Sequence, residues 1–124
     1  MEMVGNFDID LNFGNIFEDK VRDIFEGRGG IEVKTEREQW KETGNIAIEI
    51  FYKGKPSGIS TTNADWWIHI LADGDSIETA LMFPVSVLKK KIKQKIKSGR
   101  CKIVMGGDDN QSKLVLMPIS SLAL

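Results

Sequence analysis

The sequence holds one cysteine, one histidine, one tyrosine and three prolines in 124 residues. A single cysteine, Cys101, excludes an internal disulfide, and without a CxxC pair or a Cys/His cluster there is no structural zinc pattern. Cys101 reads as a reduced thiol packed as a small hydrophobe. Long apolar runs are also missing. No window approaches the roughly 20 apolar residues that a membrane-spanning helix requires, and the acidic opening MEMVGNFDIDLNF lacks the apolar stretch of a secretory signal. The expectation is a cytoplasmic protein with no membrane partner. No GxSxG surrounds any serine, so a Ser-His-Asp hydrolase has no support, and His69 reads as structural. GKPSG at 54–58 is a turn rather than a phosphate loop, because Pro56 stands where Ser or Thr is needed.

Acid is the most informative local absence. The net charge is −1, but residues 79–107 contain no Asp or Glu. The same stretch holds eight of the 17 basic residues, Lys89, Lys90, Lys91, Lys93, Lys95, Lys97, Arg100 and Lys102. One positive surface and one negative region are expected.

What is present suits one domain over residues 1–124 with a single core. Residues 14–27 read as a helix, with Phe13, Phe17, Val21 and Ile24 on one face and Gly27 at its end. Ile31–Thr35 alternates as a strand, and Asn45–Tyr52 is a second strand with Ile46, Ile48 and Ile50 facing one way. Thr62 and Asp65 have capping-box spacing and predict a short helix, NADWW. Ile68–Leu71 and Thr79–Phe83 are strand-like. Pro84 opens a helix carrying Val85, Leu88, Ile92 and Ile96 on one side, ending near Gly99. Lys102–Met105 and Lys113–Met117 form a hairpin around GGDDNQ, whose Asp108 and Asp109 are turn residues. The order predicts an α/β or α+β domain with a mixed central sheet flanked by helices.

The stretch IEVKTEREQWKETGNIAIEI, residues 31–50, carries the chemistry. Glu49 interrupts NIAIEIF, a run apolar on both faces, and a carboxylate buried there costs several kcal/mol unless it is partnered. Glu32 and Lys34 leave one face of their strand. If the two strands are neighbours, Glu32, Lys34 and Glu49 converge, and Glu18, at the border of the first helix's apolar face, joins them. Oxygen ligands without His or Cys select Mg²⁺ or Mn²⁺. Such an ion polarises a phosphate oxygen and activates a bound water, while a lysine positions that water or stabilises developing charge. The pattern suits phosphodiester hydrolysis.

The succession of Glu18 on a helix, Glu32-Val33-Lys34 on a strand and Glu49 on the next strand resembles the PD-(D/E)XK nuclease superfamily. The phrases IEVKTE, TGNIAIEI and GKPSGISTTNADWW are similar to small phage-type endonucleases and Holliday-junction-resolvase-like members of that group, over roughly residues 14–71. The resemblance implies a restriction-endonuclease-like αβββαβ core, Mg²⁺-dependent cleavage of DNA, branched or nicked forms included, and metal held by Glu18, Glu32 and Glu49. It departs from the family pattern in one respect: Glu49 has no lysine two positions on. Either Lys34 reaches the same spot from the earlier strand, which is the preferred assignment, or Glu32-Val33-Lys34 is itself the Glu-x-Lys unit and the earlier acid comes from Asp8, Asp10 or Asp23.

The helix at 85–97 holds six lysines and no acid, which repel one another unless a dense negative charge relieves them. DNA is the expected partner, with Lys89, Lys90, Lys93 and Lys97 on backbone phosphates. The hydroxyls of Ser60, Thr61 and Thr62 and the nearby N–H groups are expected to hold a further phosphate. Of Trp66 and Trp67, one is expected to pack inward. A homodimer would let two sites act on two strands. The rival expectations are a nucleic-acid-binding module of the same fold without catalysis, and a phage accessory or structural protein in which Glu49 simply pairs with Lys34.

Overall fold

In a computed structural model the described residues form an α+β domain of three helices and two sheets. The structure describes residues 3–27 and 29–122, without the side chains of residues 3–12. The helices are α1 (Met3–Phe25), α2 (Trp40–Thr43) and α3 (Val85–Ser98). The strands are β1 (Ile31–Glu36), β2 (Asn45–Tyr52), β3 (Lys55–Pro56), β4 (Trp66–Asp73), β5 (Ser76–Pro84), β6 (Lys102–Gly106) and β7 (Ser112–Pro118).

The first sheet has the order β1-β4-β5, with β1 parallel to β4 and β5 returning as a hairpin. The second has the order β3-β2-β7-β6, all antiparallel. The two expected neighbours, β1 and β2, therefore lie in different sheets. That corrects the premise from which Glu32 and Glu49 were expected to converge. Sequence alternation fixes which face a residue takes, but not which strand it lies beside.

The core follows from the alternation in β2. Ile46, Ile48 and Ile50 face Val115 and Met117 of β7 and Val85, Leu88 and Ile92 of α3 in one buried cluster, which Trp67, Leu71 and Phe83 extend into the first sheet. Leu88 and Ile92 recur four apart, the spacing that gives a helix one buried side. Pro84 precedes the helix, and Gly99 closes it at φ 70°, a left-handed conformation that glycine adopts without steric cost.

Two segments differ from expectation. The capped helix at NADWW does not form. The Thr62 hydroxyl accepts the Ala64 N–H at 3.2 Å, and Trp66 and Trp67 enter β4 as extended residues. The hydroxyl thus closes a local turn, and the aromatic and β-branched run behind it supplies strand propensity. Trp67 packs inward with 1% exposure.

The helix expected at 14–27 is part of the longer α1, but its apolar face stays open. Phe17 and Val21 are exposed, Phe25 is 75% exposed, and of its described side chains only Ile24 is buried. The outer face of the first sheet is also apolar and open. There the register aligns Val33, Ile68 and Met82, and Val33 is 52% exposed.

Candidate functional site

Parity places Glu32, Lys34 and Glu36 on the inner face of β1, in register with Trp67, His69 and Leu71 of β4. A cleft of about 190 Å³ opens where this face meets β2, and its walls include Lys34, Glu36, Glu49, Trp67 and His69. Two sheets thus deliver a lysine, two carboxylates and a histidine to one concavity.

Glu36 is the link between the sheets. The β3 pairing covers only Phe51 and Tyr52, so among the described residues the early part of β2 has no strand on that side. A bare sheet edge leaves N–H groups that need acceptors. Glu36 Oε1 accepts the Ala47 N–H at 2.6 Å and the His69 ring at 2.8 Å. The Trp67 indole N–H, which can only donate, lies 3.1 Å from His69 Nδ1. His69 therefore accepts at Nδ1 and donates from Nε2–H to Glu36. With 1% exposure, this imidazole is a fixed prop that orients the carboxylate. Both ring nitrogens are engaged, so it offers no lone pair to a metal.

Glu49 is positioned by a β-bulge. The β2–β7 register shifts between Glu49 and Phe51, leaving Ile50 as the extra residue. The Ile50 carbonyl accepts from the Ser57 N–H at 3.0 Å and from Ser60 Oγ at 2.8 Å. Gly58, at φ 57°, lies so close that a Cβ there would stand 2.3 Å from the Glu49 carbonyl oxygen. GKPSG thus docks backbone on backbone against Glu49. The carboxylate itself accepts the buried Ser112 hydroxyl at Oε1, 2.6 Å away. Hydroxyl, ladder and turn share the task of holding one half-buried charge.

The expected site is assembled only in part. Lys34 and Glu49 line the cleft as expected. Glu32 pairs with Lys34 at 3.3 Å but is not part of the cleft wall. Glu18 lies elsewhere, in a shallow concavity of α1 with Phe17, Val21 and Phe25, because that helix does not pack its apolar face on the sheet. Asp23 is also on α1, and the side chains of Asp8 and Asp10 lie outside the described residues. Among the described residues no three His, Cys, Asp or Glu side chains stand together closely enough to hold a metal ion. The cage of Glu18, Glu32 and Glu49 is therefore not formed.

A smaller donor set remains, Glu36 and Glu49, each with its second carboxylate oxygen unassigned among the described hydrogen bonds. Mg²⁺ ordinarily keeps several waters and takes only one or two protein carboxylates beside a phosphate. Glu36 and Glu49 match that ligand type and number and line one cleft. Glu36 is the residue that sequence reasoning missed. Its signal was the continuation of the Glu32, Lys34 alternation by one more step.

The expected phosphate clamp at 60–62 is mostly spent internally. The Ser60 N–H goes to the Ser57 carbonyl, and those of Thr61 and Thr62 go to the Gly58 carbonyl, at 3.0–3.2 Å. Ser60 Oγ and Thr62 Oγ1 are also engaged. These groups satisfy a tight turn, so no free N–H of residues 60–62 remains for a phosphate. The lysines are more available. Lys89 and Lys93 border a groove beside Ser60, and Lys90 and Lys97 are exposed on α3.

No protein-family model, curated protein or solved structure matches the chain. The functional reading therefore rests on the geometry of this cleft and on the sequence around it. No described helix is long and apolar enough to cross a membrane.

Proposed function

We propose that the chain is a divalent-metal-dependent endonuclease of restriction-endonuclease-like fold that hydrolyses DNA phosphodiester bonds, branched or nicked DNA included. The observation that carries the reading is the meeting of Lys34, Glu36 and Glu49 in one cleft, although they come from different sheets. Two carboxylates beside an ammonium would repel a bare phosphate if the lysine were absent, and would bind it poorly without a cation. With Mg²⁺ or Mn²⁺ bound, the ion would supply charge neutralisation at the phosphate and an acidified water.

In this reading Glu36 and Glu49 hold the ion. Lys34 faces the phosphate or its attacking water and stabilises charge that grows during cleavage. Glu32 orients the Lys34 ammonium through its 3.3 Å pair. His69 and Trp67 hold Glu36 in place. The acid-free face of α3 draws the DNA backbone towards the domain, a contribution that weakens steeply with salt.

The test is plasmid and branched-DNA cleavage in Mg²⁺ or Mn²⁺, with Lys34→Ala, Glu36→Gln and Glu49→Gln alongside wild type. Cleavage that is lost in all three variants is the expected result. Wild-type inactivity with both metals would overturn the enzymatic reading. The missing third ligand favours one alternative: a DNA-binding module of the same fold without catalysis. It predicts intact binding and no cleavage under every condition.

A further inference from the structure

A second concavity lies on the other side of β2 from the cleft. It is a groove of about 330 Å³ between α3, the end of β2 and the turn at 58–60. Its floor is apolar, built from the buried Ile50, Ile59 and Ile92, with Phe51 half-buried at one wall. Lys89 and Lys93 stand on the α3 wall, and among the described residues no carboxylate lines it. The two lysines are one helical turn apart, about 6 Å along the axis. Lys113 of β7, outside the groove lining, holds its ammonium 5.4 Å from the Phe51 ring centroid. The groove is thus greasy below, aromatic on one side and positive at its mouth.

We infer that this groove takes an unpaired nucleotide of a DNA strand, and that the enzyme proposed above prefers single-stranded or unpaired segments over continuous duplex. The inference rests on that reading for its biological setting, but the binding it describes does not require cleavage. An extruded base offers a flat apolar face to Phe51 and the isoleucine floor, while its flanking phosphates meet Lys89 and Lys93. A base inside a duplex has both faces stacked and cannot enter. Duplex DNA could reach only the lysines and would leave the apolar floor unfilled. The strand that supplies Ile50 and Phe51 also supplies Glu49, so a nucleotide seated here lies close along the chain to the cleft. The same lining suits an anionic lipid in general form, but an acyl chain would make no use of an aromatic wall.

The experiment is fluorescence anisotropy in EDTA, where no metal-dependent cleavage occurs, with labelled oligodeoxythymidine and a duplex of equal length at one salt concentration. Wild type is expected to bind the single strand about tenfold more tightly than the duplex, the range that one base–aromatic stack contributes. Phe51→Leu should remove most of that preference and leave duplex affinity unchanged. Lys89→Ala/Lys93→Ala should weaken the single strand more than Lys20→Ala/Lys102→Ala, which removes equal charge away from the groove. Equal affinity for both DNAs, or equal losses in the two lysine pairs, would overturn the inference. So would oleate that displaces the oligonucleotide while Phe51→Leu binds DNA normally. A single-strand preference without cleavage in Mg²⁺ would sink the enzyme reading and keep the groove. Cleavage without the preference would do the reverse.

Discussion

Gly58→Ala isolates the contact that seats the GKPSG turn against Glu49. Two costs arise together. At φ 57° an alanine occupies the left-handed region, which costs about 1–2 kcal/mol for a residue with a Cβ. The new Cβ would also lie 2.3 Å from the Glu49 carbonyl oxygen and 2.9 Å from its carbonyl carbon and Cβ. Backbone cannot swing aside as a long side chain can, so the turn must lift away from β2. Overpacking of that kind costs about 1–3 kcal/mol. The sum is about 2–5 kcal/mol, a large share of the roughly 5–15 kcal/mol that holds a domain together. Gly74→Ala is the matched control. Gly74 has nearly the same φ, 58°, but nothing lies within 4 Å of its added Cβ. It should cost only the conformational part. Urea denaturation of both variants measures the difference, read from the midpoint at constant slope. Gly58→Ala should be less stable than Gly74→Ala by at least about 1 kcal/mol. Equal stabilities would refute the close-approach argument and, with it, the account of how the bulge holds Glu49.

Other outcomes follow from the hydrogen bonds. Glu36→Ala should destabilise the fold by about 1–3 kcal/mol, because it strips the acceptor from the Ala47 N–H and the His69 ring at once. Glu36→Gln keeps a neutral acceptor and should melt within a few degrees of wild type while losing metal-dependent activity; thermal melts and cleavage assays run side by side separate the two roles. Acid should weaken the fold partly through Glu38, whose carboxyl is held below its ordinary value of 4.5 by its own backbone N–H and that of Gly74. A depressed folded pKa means the stabilisation is present above about 4.5 and is lost as pH falls through the lower folded value. Melting curves from pH 6 to pH 3 should therefore fall less steeply for Glu38→Gln than for wild type.

Local signals in the sequence carried far. The α3 boundaries were readable because Pro84 and Gly99 punctuate it, and the β6–β7 hairpin because a turn-rich hexamer separates two alternating runs. The isoleucines of β2 were readable as a core face from their period of two. What could not be read was non-local. Nothing in the period of β1 says that β4, not β2, lies beside it, and the register of that parallel pair is what aligns Lys34 with His69. Thr62 and Asp65 have helix-start spacing, but a hydroxyl that caps a turn two residues on leaves the same sequence trace. In the candidate site, Glu49 stood out as a charge in an apolar run, and Lys34 through its place two residues after Glu32 on one strand face. Glu36 did not, since a carboxylate at a strand end usually faces water. The open edge of β2 and the buried His69 ring give it a task. Glu18 misled for the opposite reason: its helical periodicity is real, but the apolar face it borders is uncovered.

The claim that Glu36, Glu49 and Lys34 surround one divalent-ion site is tested most directly by Mn²⁺ titration followed by NMR. Paramagnetic broadening should strike the amides of residues 34–36 and 47–49 and the Trp67 indole N–H first, and Glu36→Gln/Glu49→Gln should abolish it. Early broadening confined to the acidic residues of α1 or to the 106–111 turn, or none at all at those cleft positions, would contradict the account.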